Sequence, residues 1–179
     1  MIISISGTPG TGKTTVSRLV ARQYGARLII LTRYIRAHRI YDGYDKGRKA
    51  MIVDSDHLRK HMASDLKGSK KDVIIDGHLS HFLKADIIFV LRLDPAVLEK
   101  RLRKRGFSKK KTIENVQAEV LDVIYGESLK KGREVIQIDA TGKSPAYLAK
   151  RILNTLRSKK YKSDKVDWSR KYCCYLDIK

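Results

Sequence analysis

Apolar and polar positions divide the chain into alternating strand-like and helix-like segments. Ile2–Ser6 is a short apolar run rich in β-branched residues that stops at Gly7. From Lys13 to about Tyr24, Val16, Leu19 and Val20 recur at helical spacing. Arg27–Leu31 reads as a second strand, residues 32–41 as a helix, and Tyr41–Asp45 (Tyr-Asp-Gly-Tyr-Asp) as a turn. A further helix is expected over 55–66, ending near Gly68. Asp72–Asp76 and Asp86–Leu91 hold the unbroken apolar runs of strands buried on both faces. Asp94-Pro95 supplies an N-cap and a first-turn proline for a helix to about Arg105, and Ser144-Pro145 does the same for one to about Leu156. Between them the pattern predicts one long helix over roughly 112–131, with Val116, Val120, Val123 and Ile124 on one face, and a fifth strand at Glu134–Asp139. Such alternation implies an α/β fold around a parallel sheet. The last twenty or so residues mix Lys, Tyr, Trp and Cys without clear period. Neither a repeat nor a linker interrupts the chain, so one domain with a tail is expected.

Composition narrows this. A chain of 179 residues fits one domain, and 42% hydrophobic residues suffice for a core. No apolar stretch approaches the ~18 residues that span a bilayer. The N-terminus lacks a basic region and cleavage site, so neither a membrane span nor a secretory signal is expected, and the protein is read as cytoplasmic. The adjacent Cys173 and Cys174 make no disulfide framework. Charge is the outlier: 39 Lys and Arg against 19 Asp and Glu give a formal +20. Heat adaptation enriches Lys and disfavours amides, and the chain has only two Asn and three Gln. Ion-pair networks need both signs, however, so heat adaptation leaves the imbalance unexplained. An excess this large favours polyanions, and nucleic acid or a complex rich in it is the expected partner.

The sharpest chemical signal is Gly-Thr-Pro-Gly-Thr-Gly-Lys-Thr-Thr at 7–15, which follows a strand and opens a helix. It fits G-x-x-x-x-G-K-[ST] at every fixed position. Gly7, Gly10 and Gly12 let the backbone turn its N–H groups onto an anion, where the helix dipole adds its field. Lys13 is placed to reach the β and γ phosphates, and the Thr14 hydroxyl to ligate Mg²⁺. No Asn-Lys-x-Asp base-reading motif of a GTPase occurs, and five strands with short inserts suit a small nucleotide kinase. Asp76 ends its strand at the carboxyl edge of the sheet, where it could hold Mg²⁺ through a water or orient a nucleophile. His78, two residues on, could position a water or an acceptor phosphate. His38, His57, His61 and His81 read as surface residues; His57 and His61 share a helix face, but no other ligand signature joins them. Seven cations between Arg101 and Lys111 surround a short loop, Arg105-Gly106-Phe107-Ser108. Arg105 is expected to face inward over transferring phosphates and the lysines outward. Arg36 could bind a second phosphate.

With these residues the chain resembles the adenylate-kinase-like P-loop kinases. More narrowly it is similar to the ribosome-assembly adenylate kinase family, called coilin-interacting nuclear ATPase proteins in eukaryotes. The motif at 7–15, Tyr-Asp-Gly-Tyr-Asp at 41–45, Asp76-x-His78, Arg105-Gly106-Phe107-Ser108-x-Lys110-Lys111, Glu114-Asn115-Val116-Gln117-x-Glu119 and Gly142-Lys143-Ser144-Pro145 carry the likeness, which covers residues 1 to about 157. The resemblance implies a five-stranded parallel sheet of order 2-3-1-4-5, a monophosphate region at about 30–53, a lid at about 104–114, and a basic tail over 158–179 outside the likeness. It implies ATP held by Gly10, Gly12, Lys13, Thr14, Thr15 and Arg105, with Lys143 near the adenine and Arg36 on the AMP phosphate. Lys13, Asp76, His78 and Arg105 become the catalytic set, with Mg²⁺ on Thr14 and, through water, Asp76. Adenylate kinase and ATPase activities are implied together, with a role in small-subunit maturation. The partners would be a platform ribosomal protein and pre-ribosomal particles or rRNA, and the state a monomer or a heterodimer with that ribosomal protein, cytoplasmic here and nuclear in eukaryotic relatives. Departures matter: ordinary adenylate kinases read Asp-Gly-Phe-Pro-Arg where this chain reads Asp76-Gly77-His78-Leu79-Ser80. Losing that Arg favours an assembly ATPase with modest phosphotransfer. The monophosphate region is altered too, with Leu31-Thr32-Arg33 where Gly-Asp usually precedes the helix bearing Arg36, and this leaves open a kinase for another acceptor, of cytidylate or shikimate type.

Overall fold

A computed structural model describes residues 1–48, 50–130 and 134–176. In chain order its elements begin β1 (Ile2–Ser6), α1 (Lys13–Tyr24), β2 (Arg27–Ile30), α2 (Leu31–Ala37), β3 (Gly43–Asp45), β4 (Ala50–Ile52) and α3 (Ser55–Leu66). They continue β5 (Val73–Asp76), β6 (Ile87–Arg92), α4 (Pro95–Lys104), α5 (Lys109–Val120), α6 (Val123–Leu129), β7 (Glu134–Asp139) and α7 (Pro145–Ser158). Five strands form one parallel sheet in the order β2-β5-β1-β6-β7. Counted along the chain among themselves, these strands stand in the order 2-3-1-4-5, as the resemblance implied.

Alternation within the strands sorts side chains to two faces. Ile3, Ile5, Ile74, Phe89 and Leu91 meet Val16 and Val20 of α1, Leu98 and Leu102 of α4 and Ile152 of α7. Val73 and Ile75, one residue out of phase with Ile74, meet Ile35 of α2 and Leu58 and Met62 of α3. Farther along, Ile88, Val90 and Val135 pack against Ile124 and Tyr125 of α6. Both faces are covered, so the central strands carry apolar residues at every position, which is why they read as unbroken runs. The capping devices are built: Asp94 accepts from the Ala96 and Val97 N–H groups, and Ser144 from that of Tyr147.

Three expectations change. The stretch read as a turn at 41–45 leads into an antiparallel hairpin, β3–β4, and the preceding helix stops at Ala37 rather than 41. The single helix over 112–131 is two, α5 and α6, because Asp122 adopts a left-handed backbone with φ 55°. The Asp122 carboxylate pairs with buried Arg92 at the end of β6, and that contact breaks the helix. Val116 and Val120 are buried as expected, while Val123 turns outward; Lys131, the expected end, lies outside the described residues. The third change is the tail, which packs back. The Asp164 N–H donates to Gln137 O at 3.0 Å and Ser163 Oγ accepts from the Gln137 N–H, covering the outer edge of β7. Tyr172 and Tyr175 then pack on the core beside α4 and α5.

Candidate active site

The carboxyl ends of β1 and β5 meet at the N-terminus of α1, and the site is built there. Gly10 has φ 103°, and a Cβ on it would lie 2.8 Å from Leu98 Cδ1; both conformation and space require glycine. Gly12 caps α1 with no side chain, which leaves the first helical N–H groups facing outward. The Thr14 hydroxyl donates to Asp76 Oδ2 at 2.7 Å, and the Ser17 hydroxyl reaches Asp76 Oδ1 at 3.4 Å. Lys13 Nζ lies 3.4 Å from Thr8 O. Removal from water pushes the Lys13 ammonium down to about 8 despite the Asp76 charge beside it. Burial raises the Asp76 pKa, opposed by Thr14, Lys13 and Ser17. An ammonium and a carboxylate held this dry are short of counter-charge, and a phosphate with its cation would supply both signs. Thr14 and Asp76 present hard oxygen donors side by side, the donor type that suits a small divalent cation.

One cavity of about 460 Å³ joins most of the expected residues. Gly10, Lys13, Thr14, Asp76, His78, Arg105 and Arg36 all line it. Gly12 and Thr15 do not: Gly12 sits behind, against Arg101, and Thr15 is exposed. Lys143 also stands outside the cavity, its Nζ 5.4 Å from the centroid of the Tyr147 ring. His78 is exposed to the cleft. Even so, crowding by protein atoms, ahead of the charges of Lys13, His81 and Lys111, lowers its pKa to about 4, leaving the ring neutral at pH 7. A neutral imidazole can accept a proton or a hydrogen bond from water.

His81 corrects the surface reading of the other histidines. It is 1% exposed, between Ser6 Oγ at 3.3 Å and Glu127 Oε2 at 2.9 Å. Ser6 in turn donates to Gly77 O, beneath the loop that carries His78. His78 lines the cavity and His81 is buried, a difference that the sequence pattern alone does not show. His61 is half-buried and hydrogen-bonded to Tyr34 Oη at 2.8 Å, while His38 and His57 are exposed.

Other participants were given no site role by the sequence, although several lie in the motifs quoted above. Lys111, expected to point outward, lines the cavity and donates from Nζ to Arg48 O at 2.6 Å. Arg48, in the hairpin connection, pairs with Glu114 of α5 across the cleft mouth at 3.1 Å. Arg101 donates to Gly10 O at 3.3 Å, so the helix before the lid touches the phosphate loop. Beneath that loop the Thr8 hydroxyl donates to Glu119, which also holds Arg92 Nε at 2.8 Å and the Leu93 N–H at 3.0 Å. Arg92 and Glu119 are each 2% exposed. This buried pair fastens α5 to the phosphate loop.

A family model described as AAA domain matches residues 3–122. A Thermococcus kodakarensis protein named putative adenylate kinase is 43% identical over 96% of this chain and 95% of its own length. A Methanocaldococcus jannaschii protein of the same name is 38% identical over 99% and 98%. The chain belongs to this adenylate kinase family. Among solved structures, a deoxyadenosine kinase from M. mycoides with bound dATP superposes with a TM-score of 0.58 at 20% identity, covering 88% of this chain and all of that one. Shikimate kinase from Aquifex aeolicus gives 0.56 at 16%, over 89% and 98%. At such identities these two show the shared fold alone. Kinases of this family take ATP with a divalent cation. Among the described residues no helix is long and apolar enough to cross a membrane.

Proposed function

We propose that this chain transfers the γ-phosphoryl group of Mg²⁺-bound ATP to AMP, hydrolyses ATP as a side branch, and serves small-subunit maturation in the cytoplasm. One observation supports the reading: a single cavity is lined by Lys13, Thr14, Asp76, His78, Arg105 and Arg36 together. The phosphate loop and Lys13 would take the ATP phosphates, with Gly12 and Thr15 at the helix start behind them. Thr14 and Asp76 would hold Mg²⁺, which supplies charge neutralisation on the bridging oxygens. The P–O bond to the ADP leaving group breaks as one forms to an AMP phosphate oxygen positioned by Arg36. Arg105 offsets charge on the moving group. Lys143, outside the cavity, would reach only the adenine end. When water replaces AMP, neutral His78 and Asp76 orient it. The apolar wall of Leu31, Ile35, Met51 and Val53 suits a nucleobase beside Arg36.

ADP formed from ATP plus AMP, measured against ATP alone, tests the kinase half; equal rates would remove it. His78→Ala should lower hydrolysis more than transfer. A second reading has support in His78 itself, which stands where ordinary adenylate kinases lead into an AMP-binding Arg: a nucleotide-driven assembly switch on a platform ribosomal protein or rRNA, with little kinase flux. Nucleotide-dependent co-sedimentation with small-subunit particles checks it, and no association at low salt would exclude it. Cytidylate and shikimate belong in the same acceptor screen.

A further inference from the structure

A second group of cations lies away from the cleft. Residues 141–176 carry ten Lys and Arg but only two carboxylates, Asp164 and Asp167. Asp164 is already consumed by Arg151, which grips both of its oxygens at 2.6 and 2.7 Å. Asp167 accepts from Ser169. A groove of about 360 Å³ runs along the outer face of α7, lined by Tyr147, Lys150, Arg151, Asn154, Thr155 and Ser158. None of these lines the nucleotide cavity. The spacing is that of one helical stripe, so the groove runs roughly 16 Å at 1.5 Å per residue. Lys150, Arg157, Lys159, Lys160 and Lys162 are exposed, and among the described residues none makes an ion pair. Tyr147, in the groove, is 52% exposed, and Tyr161, three residues past Ser158 and outside the groove lining, is 46% exposed.

We propose that this groove is a docking site for single-stranded RNA. Three features favour RNA over an acidic protein. The cations form an almost acid-free field along a track, as a phosphate backbone requires. The exposed Tyr147 in the groove offers a stacking face that bases use and carboxylates do not. Asn154, Thr155 and Ser158 between them supply uncharged donors and acceptors for sugar hydroxyls and base edges. The wall is also set in advance. Asp164, held by Arg151, takes the Asp139 N–H at 2.9 Å, and its carbonyl accepts from Gln137 Nε2 at 2.7 Å, tying the tail to β7. A strand would therefore meet a surface already ordered. The proposal deepens the ribosomal reading above, on which the physiological source of the strand rests.

Fluorescence anisotropy with a labelled twelve-nucleotide oligo(U) tests it on the full chain. Lys150→Glu with Arg157→Glu should weaken binding at least tenfold. Tyr147→Ala should weaken it about fivefold to tenfold. Lys67→Glu with Lys70→Glu, on an exposed turn elsewhere, should change it less than twofold, and far-UV circular dichroism confirms folding of each variant. The proposal is overturned if the control pair weakens binding as much as the groove pair, if Tyr147→Ala has no effect, or if polyglutamate binds as tightly as the RNA. ATP–AMP transfer should be unaltered in every groove variant. If small-subunit particles co-sediment with a chain that does not bind the oligonucleotide, this proposal fails and the ribosomal reading stands.

Discussion

The two walls of the cleft are built differently. On the ATP side, Lys13, Thr14 and Asp76 sit at the ends of central strands, and Asp76 is 1% exposed under two hydroxyl donors. On the acceptor side, Arg36 is exposed on a seven-residue helix, and the hairpin beside it has strands of three residues. One wall is fixed by the sheet; the other is held by contacts that reach across the cleft, Arg48 to Glu114 and Lys111 to Arg48 O. Under the proposed reading the donor geometry is set before ligand arrives, and the acceptor wall, built on short elements, is the side expected to move onto its substrate. Substitutions should follow that division: loss of chemistry on the fixed wall, loss of acceptor affinity on the mobile one.

The largest effect is expected at Lys13. Lys13→Ala removes the half-buried ammonium at the phosphate loop and should lower both transfer and hydrolysis by about 10²–10³-fold, with folding intact by circular dichroism. Glu119→Ala comes next and acts through stability. It strands Arg92, 2% exposed, without its main carboxylate, and should cost about 3–5 kcal/mol. Thermal melting would show a fall on the order of 10 °C. Because Thr8 loses its acceptor too, weaker ATP binding should accompany the fall; an unchanged Tm would deny the pair its structural role.

What the sequence makes legible follows the same division. The fixed wall is local: a strand, a glycine loop and a helix start lie within fifteen residues, and the buried strands announce themselves as apolar runs. The mobile wall is not. Strands of three residues, Gly43–Asp45 and Ala50–Ile52, are too short for alternation to show, so the hairpin reads as a turn. The break at Asp122 is imposed by Arg92, thirty residues away, against a pattern that favours continuous helix. His81 looks like any loop histidine until Ser6 and Glu127 enclose it. Lys111 reads as one of several outward lysines because nothing in its neighbours reveals that Arg48 lies opposite. The hairpin apart, each miss is a contact between residues distant in sequence that overrides a sound local expectation.

Arg36→Ala separates the walls kinetically. It should raise KM for AMP about 10- to 100-fold, the loss of a charge-assisted phosphate contact, while hydrolysis of ATP alone is unchanged. Equal loss in both reactions would place Arg36 on the ATP side and erase the division. The pH profile probes the fixed wall without substitution. Lys13 is lowered to about 8 by burial, so in the free enzyme it loses its proton as pH rises through that value. Above about pH 8, kcat/KM for ATP should fall as the neutral amine replaces the cation. Bound phosphate favours the protonated form, so the corresponding fall in kcat should come at higher pH. Identical limbs for the two parameters would show that Lys13 does not face the phosphates.

The smallest effect tests the bridge. Arg48 makes its pair with Glu114 in the open, with the two side chains 53% and 35% exposed, and exposed pairs contribute little. Glu114 holds the Arg48 guanidinium charged, and Asp45 on the hairpin does the same. Arg48→Ala should therefore leave Tm within about 2 °C and change kcat/KM for AMP by less than about threefold, with the difference vanishing in high salt. Its direction is the informative part. If the bridge holds the acceptor wall near its closed position, KM for AMP rises and ATP hydrolysis is untouched. If the bridge must break before AMP can enter, KM falls. Either outcome assigns motion to the acceptor wall. A change in ATP hydrolysis of the same size would instead show that the bridge acts on the donor side, through α5 and the buried Glu119 that α5 sets against the phosphate loop.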